Sequence, residues 1–310
     1  EIHHSVESII LRDKINNAKG IKKKINLEYK DTPYTVRIRG LLNRYNKLLR
    51  RTKIEIPNAP PEGIPSTSKK KFTKITIDPM DKYVRRIFSN GSWEDGGRFH
   101  GGWWQRISSD WRVQISLDGK NKGATEIDYS GLHIVLLYAI EGIDYWNTDG
   151  RDTYLIDNVE QSERMRSLLK LVLLISINAK SKRSALGAIR GKIAEHPDEY
   201  NWTNEENVPL SDIINAFMER HEPIRKYFYS NSGIKLQRID SDIAEKVIKH
   251  FTNLNIPTLC IHDSFVITHA YADELKREMF KAASEVINKM NKGRLKIEIR
   301  IKSKTYIDII

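Results

Sequence analysis

Asn255-Ile-Pro-Thr-Leu-Cys-Ile-His-Asp263-Ser-Phe-Val-Ile267 decides the reading of this chain. Apolar residues flank Ile261-His262-Asp263-Ser264 on both sides, which predicts a strand–turn–strand hairpin with a carboxylate at its tip. A carboxylate in that position is not there for burial; it faces water, a cation or a metal. A second aspartate, Asp128, ends another apolar, strand-like run in Ala124-Thr-Glu-Ile-Asp128-Tyr129-Ser130-Gly131. Two aspartates carried on strands that come together make a two-metal site for phosphoryl transfer.

Composition narrows the classes of function. The chain has 310 residues, 39% hydrophobic and 30% charged, enough to build the core of one large domain or of two to three subdomains. Its formal net charge of +12 favours a polyanionic partner. The cations are clustered at Lys22-Lys23-Lys24, along Arg37–Arg51 and at Lys69-Lys70-Lys71. The longest apolar run, Leu168–Ile177, is broken by Lys170 and falls short of the ~20 residues of a membrane span. One cysteine, Cys260, excludes an intramolecular disulfide and a cysteine-rich zinc site. With no secretory signal pattern, an intracellular, cytoplasmic setting is expected.

Along the chain, residues 1–55 read as helical and basic. Within 37–51, apolar residues at 38, 41, 42, 45, 48 and 49 keep a helix period, and the other face is almost entirely cationic. Such a helix suits a phosphate backbone, or is an ordinary amphipathic surface helix. Pro57, Pro60, Pro61 and Pro65 mark 56–72 as a linker or loop. Residues 73–123 read as short strands and turns. There, in Gly96-Gly97-Arg98-Phe99-His100-Gly101-Gly102-Trp103-Trp104-Gln105, glycines permit close backbone approach to a ligand. Arg98 and Gln105 are its candidate ligand donors, while Trp103 and Trp104 read equally as stacking surface or core. Beyond Asp128 the expected elements are a helix at 132–140, a loop at 146–159, and a long helix at about 161–178. Residues 181–235 read as mostly helical, followed by helices at 241–254 and 272–290 around the Asp263 hairpin. A half-buried strand closes 294–309.

Arg166, Lys170, Leu174 and Asn178 recur at intervals of four and so share one helix face. An arginine fork and a lysine point charge in line can grip a triphosphate, and the lysine can donate a proton. The alternative is that both only solubilise an apolar helix. Lys170 sits among Leu168, Leu169, Leu171, Val172, Leu173 and Leu174, where it needs an anion or must snorkel. Glu126, Asp240 and Asp242 are further acids, the last read as capping or solvating its helix. Cys260, Trp111, Trp146 and Trp202 read as core, and His3-His4 as chain terminus.

In order, then, the sequence carries Gly97-Arg98-Phe99 with Gln105 downstream, Asp128-Tyr129-Ser130, Arg166-x3-Lys170-x7-Asn178, Gln237-x4-Asp242-Ile243, and His262-Asp263-Ser264. This resembles the A-family (polymerase-I-type) DNA polymerases and the related phage-type single-subunit RNA polymerases over roughly residues 90–285. Asp128-Tyr-Ser looks like motif A in its DNA-polymerase form, Arg166 to Lys170 like motif B, and His262-Asp-Ser-Phe265 like motif C in the form more typical of the RNA enzymes. The resemblance implies an α/β (α+β) right-hand fold with an antiparallel palm sheet, helical fingers and a basic helical thumb. It would divide the chain into a thumb region and linker (1–72), first palm part (73–140), fingers (141–235) and second palm part with the C-terminal strand (236–310).

Carried over by position, the resemblance implies that Asp128, Asp263 and the Tyr129 carbonyl hold two Mg²⁺ ions, with Mn²⁺ as a substitute. Arg166 and Lys170 would bind the β/γ-phosphates, with Lys170 the general acid for pyrophosphate. Arg98, Gln105, Gln237 and His262 would contact the primer–template, and the basic helix at 37–51 would hold the duplex. Two departures stand out. Asn178-Ala179 replaces the usual Tyr-Gly end of motif B, and Leu174 replaces an aromatic, so base stacking by the nucleotide-binding face would differ. His133 falls at the sugar-selecting position, where its bulk would exclude a ribose 2′-hydroxyl and favour dNTPs. The stretch before Arg98 is too short for the family's exonuclease domain, which implies no proofreading in cis. The expected activity is primer extension on a DNA template, with a replication partner such as a helicase or primase, in a phage or plasmid context. The alternatives are an RNA polymerase or primase on the same scaffold, a non-catalytic nucleic-acid-binding protein, and an unrelated two-aspartate nuclease.

Overall fold

The computed structural model describes residues 7–16, 22–66, 74–119, 123–157, 159, 162–200, 208–293 and 296–305. The chain opens with β1 (Ile9–Asn16) and β2 (Lys22–Leu27), an antiparallel pair in which Leu11 faces Leu27. Here the expectation of helix over 1–55 is corrected. Ile9 and Leu11 are buried at a spacing of two, the strand period, and the dense lysines obscured that alternation. Helix α1 (Pro33–Arg51) follows, started by a Thr32–Thr35 capping box with proline in its first turn. Its predicted apolar positions Ile38, Leu41, Leu42, Tyr45, Leu48 and Leu49 are all buried. Much of its cationic face is occupied: Arg37 pairs with Glu245, Arg39 with Asp31 and Glu7, and Arg51 donates to Asn255.

Strands β3 (Arg85–Ser89) and β4 (Ser92–His100) complete a first sheet in the order β2-β1-β3-β4, with β1 and β3 parallel. Trp103 and Trp104, just beyond it, are fully buried, which resolves them as core. Next come β5 (Ala124–Tyr129), α2 (Leu132–Ile140), α3 (Glu163–Asn178), α4 (Lys182–Glu195) and α5 (Leu210–Arg220). The side chain of Ser162 caps α3 by accepting from Met165, and a Ser181–Ser184 capping box starts α4. Helix α6 (Gly233–Asn253) begins eight residues earlier than the 241–254 expectation, so Gln237 and Asp240 are helical. Last are β6 (Thr258–Ile261), β7 (Ser264–Thr268), α7 (Ala272–Met290) and β8 (Ile301–Thr305).

The second sheet is antiparallel throughout, in the order β6-β7-β5-β8. Strand β7 is buried along its whole length, and β5 at all positions but Asp128. The architecture is thus mixed α/β, two four-stranded sheets with helices around them. Helix α6 packs against β4, α7 and α1, joining the two sheets. His3-His4, Lys69-Lys70-Lys71, Trp202 and parts of the 294–309 tail lie outside the described residues.

Candidate active site

Asp128 and Asp263 are brought together by sheet register. Ser264 faces Asp128 across β7 and β5, so Asp263, the residue before it, sits beside the end of β5. The hairpin turn is His262-Asp263, with His262 at φ 60°, the positive value that a tight two-residue turn requires at its first position. On the other side of β5, Lys302 of β8 faces Asp128 directly. The carboxylate therefore has a like charge on one flank and a cation on the other.

Both aspartates open into a cleft of about 370 Å³. Its opposite wall is the α3 ridge, since Arg166, Lys170, Leu174 and Asn178 all line it. Arg98, Tyr129, His133, Tyr154, Gln237 and Lys302 also line it. Loss of solvation is the first cause that pushes the Asp128 carboxyl up to about 8, and the charge of Asp263 is the second; Lys170 offsets part of the rise. Asp128 thus lacks the positive charge that would hold its carboxylate ionised.

Lys170 is exposed in the cleft, its Nζ 5.6 Å from the centre of the buried Tyr154 ring, and the Arg166 guanidinium stands 5.2 Å from the same ring. Arg166 is oriented by a 2.6 Å hydrogen bond from Nε to Asp152 Oδ2. Among the described residues, Lys170 makes no ion pair.

The other wall is held from beneath by Asp240, whose side chain is fully buried. Arg98 Nε donates to its Oδ2 at 3.0 Å, Arg98 Nη2 also donates to it, and His133 Nε2 lies 2.8 Å from the same oxygen. Burial alone would raise the Asp240 carboxyl, but the His133 hydrogen bond and the Arg98 charge outweigh it and hold the group below the usual carboxylate range. Arg98 and His133 therefore reach the cleft as a fixed pair.

Two expected contacts are not in the cleft. The Gln105 amide donates to Phe99 O at 3.1 Å and Cys260 O at 2.9 Å, and its Oε1 accepts from Gly101 N at 3.1 Å. Gln105 is an internal clamp between the glycine-rich strand and the hairpin, which corrects its reading as a ligand donor. His262 is absent from the lining too, and its ring packs edge-on against His100 at 5.1 Å. The Tyr129 hydroxyl donates to Met279 O, so its backbone carbonyl is the atom left for the site.

Glu126 is engaged by Arg112 and the Ser264 hydroxyl, and Asp242 accepts from Arg86. Among the described residues no group of three or more His, Cys, Asp or Glu side chains is placed to hold a metal. Asp152, Tyr154 and Lys302 were missed from sequence. Lys302 was hidden in an alternating strand, and the other two in a loop whose path no local pattern fixes.

No family model matches the chain, and no curated protein matches it. Among solved structures it is similar to the POL domain of Pol1 from M. smegmatis, in a complex with DNA primer-template and dNTP, at 11% identity and a TM-score of 0.43. That similarity covers 72% of this chain and 47% of the other, so the chain spans about half the length of the structure it matches.

Proposed function

We propose that this chain is a nucleotidyltransferase that extends a primer 3′-hydroxyl on a DNA template. The observation that carries the reading is the cleft itself: an aspartate on β5 and one in the adjoining β6–β7 turn face a helix that presents an arginine and a lysine one turn apart. Acids opposite a lysine with no ion pair among the described residues, and an arginine held through Nε by Asp152, suit a substrate that carries both bound metal and phosphate.

The donor set fits Mg²⁺. Two carboxylates and a backbone carbonyl are hard oxygen ligands, and Mg²⁺ commonly uses one or two carboxylates and leaves its other positions to water and substrate phosphates. Asp128, Asp263 and the Tyr129 carbonyl would hold two such ions, which would supply activation of the 3′-hydroxyl and neutralisation of the triphosphate. Arg166, with Nε fixed on Asp152, offers its remaining donors to phosphate oxygens. Lys170 donates a proton to the leaving pyrophosphate oxygen. His133, fixed by Asp240, stands at the sugar and selects against a 2′-hydroxyl. Leu174 and Asn178 extend the nucleotide-binding face, and Gln237 with Arg98 meets the primer–template.

The test is gel-resolved extension of a labelled primer on a DNA template with Mg²⁺ and dNTPs or rNTPs, comparing wild type with Asp263→Ala. Extension with dNTPs that is lost in the variant supports the reading. Extension with rNTPs alone assigns the RNA polymerase or primase activity suggested by His262-Asp263-Ser264. Extension that survives Asp263→Ala sinks the two-aspartate site, and duplex binding without synthesis leaves a binding protein.

A further inference from the structure

A second cavity, of about 360 Å³, adjoins the cleft and shares Arg98 and Gln237 with it. Its outer wall is the β1–β2 hairpin, which contributes Arg12, Lys14 and Lys24, and His100 of β4 adds to the lining. Strand register places Lys14 directly opposite Lys24, and Arg12 opposite Asn26, so all four share one face. Like charges directly across a strand pair oppose folding. Among the described residues of the hairpin no carboxylate pairs with them. Arg12 Nε donates only to the neutral Asn26 Oδ1, at 3.2 Å, and among the described residues neither lysine forms an ion pair. Asp13 also borders the cavity, but it belongs to the alternate face and lies toward Gly91, where its Oδ2 would be 3.3 Å from an added Cβ. The cost of this arrangement is offset if an anion lies across the face.

We infer that this groove holds the sugar–phosphate backbone of the nucleic-acid strand whose end enters the cleft. The inference rests on the proposed function for the identity of that strand. Arg98 and Gln237 are common to both cavities, so one polymer can run from the cleft onto the hairpin. A free triphosphate would occupy the cleft alone. Among the described residues lining the groove the one aromatic ring is the His100 imidazole, and its donors are point charges and a fork, so it grips backbone independently of sequence. His100 remains neutral at physiological pH: burial comes first in pushing it down to about 4, then His262, Arg98, Arg12 and Lys24 nearby.

The test is fluorescence anisotropy of a labelled primer–template duplex with a single-stranded template overhang, titrated at several salt concentrations without nucleotide. It compares wild type with Arg12→Gln/Lys14→Gln/Lys24→Gln and with a charge-matched control, Lys276→Gln/Lys281→Gln/Lys289→Gln. The groove variant should bind roughly tenfold more weakly or worse, and its plot of log K against log salt should be shallower by about 0.9 per lost phosphate contact. The control should keep the wild-type slope, and the KM for nucleotide should not change in either. Lys24→Glu alone should weaken binding in the same direction and guards against a folding defect in the triple variant. Wild-type affinity and slope in the groove variant, or equal losses in both triple variants, would overturn the groove while leaving the polymerase reading intact. Absence of duplex binding by the wild type would overturn both.

Discussion

Arg86 and Lys170 are cations with opposite surroundings. Arg86 is fully buried, and its guanidinium donates to Gly97 O, Ser241 Oγ, Asp242 and Glu245 at 2.5–3.0 Å. The Phe88 and Phe99 rings lie 5.1 and 5.2 Å from it, and Glu245 is shared with Arg37. Lys170 is exposed, with an aromatic ring on one side and no carboxylate within ion-pair distance among the described residues. Only Arg86 is tied to acids on another element, and its cluster alone has its charges matched and in contact. The cleft has two acids on one wall and separated cations on the other. A closed cluster needs nothing more, whereas an open one is completed from outside.

The largest expected effect comes from breaking the closed cluster. Arg86→Ala leaves Asp242 and Glu245 without their buried partner and should cost about 3–5 kcal/mol in urea unfolding; wild-type stability would show that the matched charges do not hold the two sheets to α6. Lys170→Ala should do the reverse, lowering the extension rate about 100-fold while shifting stability by no more than ~0.5 kcal/mol. Asp240→Asn lies between the two, because its carboxylate is buried yet orients cleft residues. It should lower stability by about 2 kcal/mol and also raise rNTP incorporation relative to dNTP; loss of stability with unchanged sugar preference would make Asp240 structural only.

The smallest effect has a defined pH window. Asp128 holds its proton more tightly in the folded chain, at about 8, than its ordinary value of 3.8. The folded state therefore binds the extra proton, and stability falls as pH rises from about 4 through 8. Asp128→Asn should flatten that slope and raise stability at pH 8 by about 1 kcal/mol or more, read by thermal melts at a series of pH values. Mg²⁺ should stabilise the wild type and not the variant; identical melts of the two proteins from pH 4 to 8 would remove the burial argument.

Much of the site was legible because its residues lie on elements with strong local patterns. Asp128 and Asp263 sit at the ends of apolar strands, and the ridge from Arg166 to Asn178 follows helix spacing. Helices 132–140 and 272–290 have the bounds their periodicity predicts. What was not legible depends on register between distant strands or on chain paths through loops. Lys302 reaches the cleft because β8 pairs with β5, and Tyr154 because a loop passes beneath α3. Gln105 misled because an amide suits a ligand and a backbone clamp equally well, and only the fold shows that Phe99, Gly101 and Cys260 already use it. The β1–β2 hairpin was hidden by lysines that lowered the contrast between its two faces.

The place of β5 in its sheet has a consequence for how the molecule is born. This strand carries Asp128, but both of its neighbours, β7 and β8, come from the far end of the chain. A ribosome making this protein has long finished β5 when Thr305 emerges, and synthesis runs at about 5–20 residues per second. Until Thr268 is made the aspartate strand has neither flank, and until Thr305 is made it still lacks β8, while the first sheet with α1 is the part able to assemble. A nascent chain can thus carry the β1–β2 hairpin well before it has the cleft that Asp128 and Asp263 line.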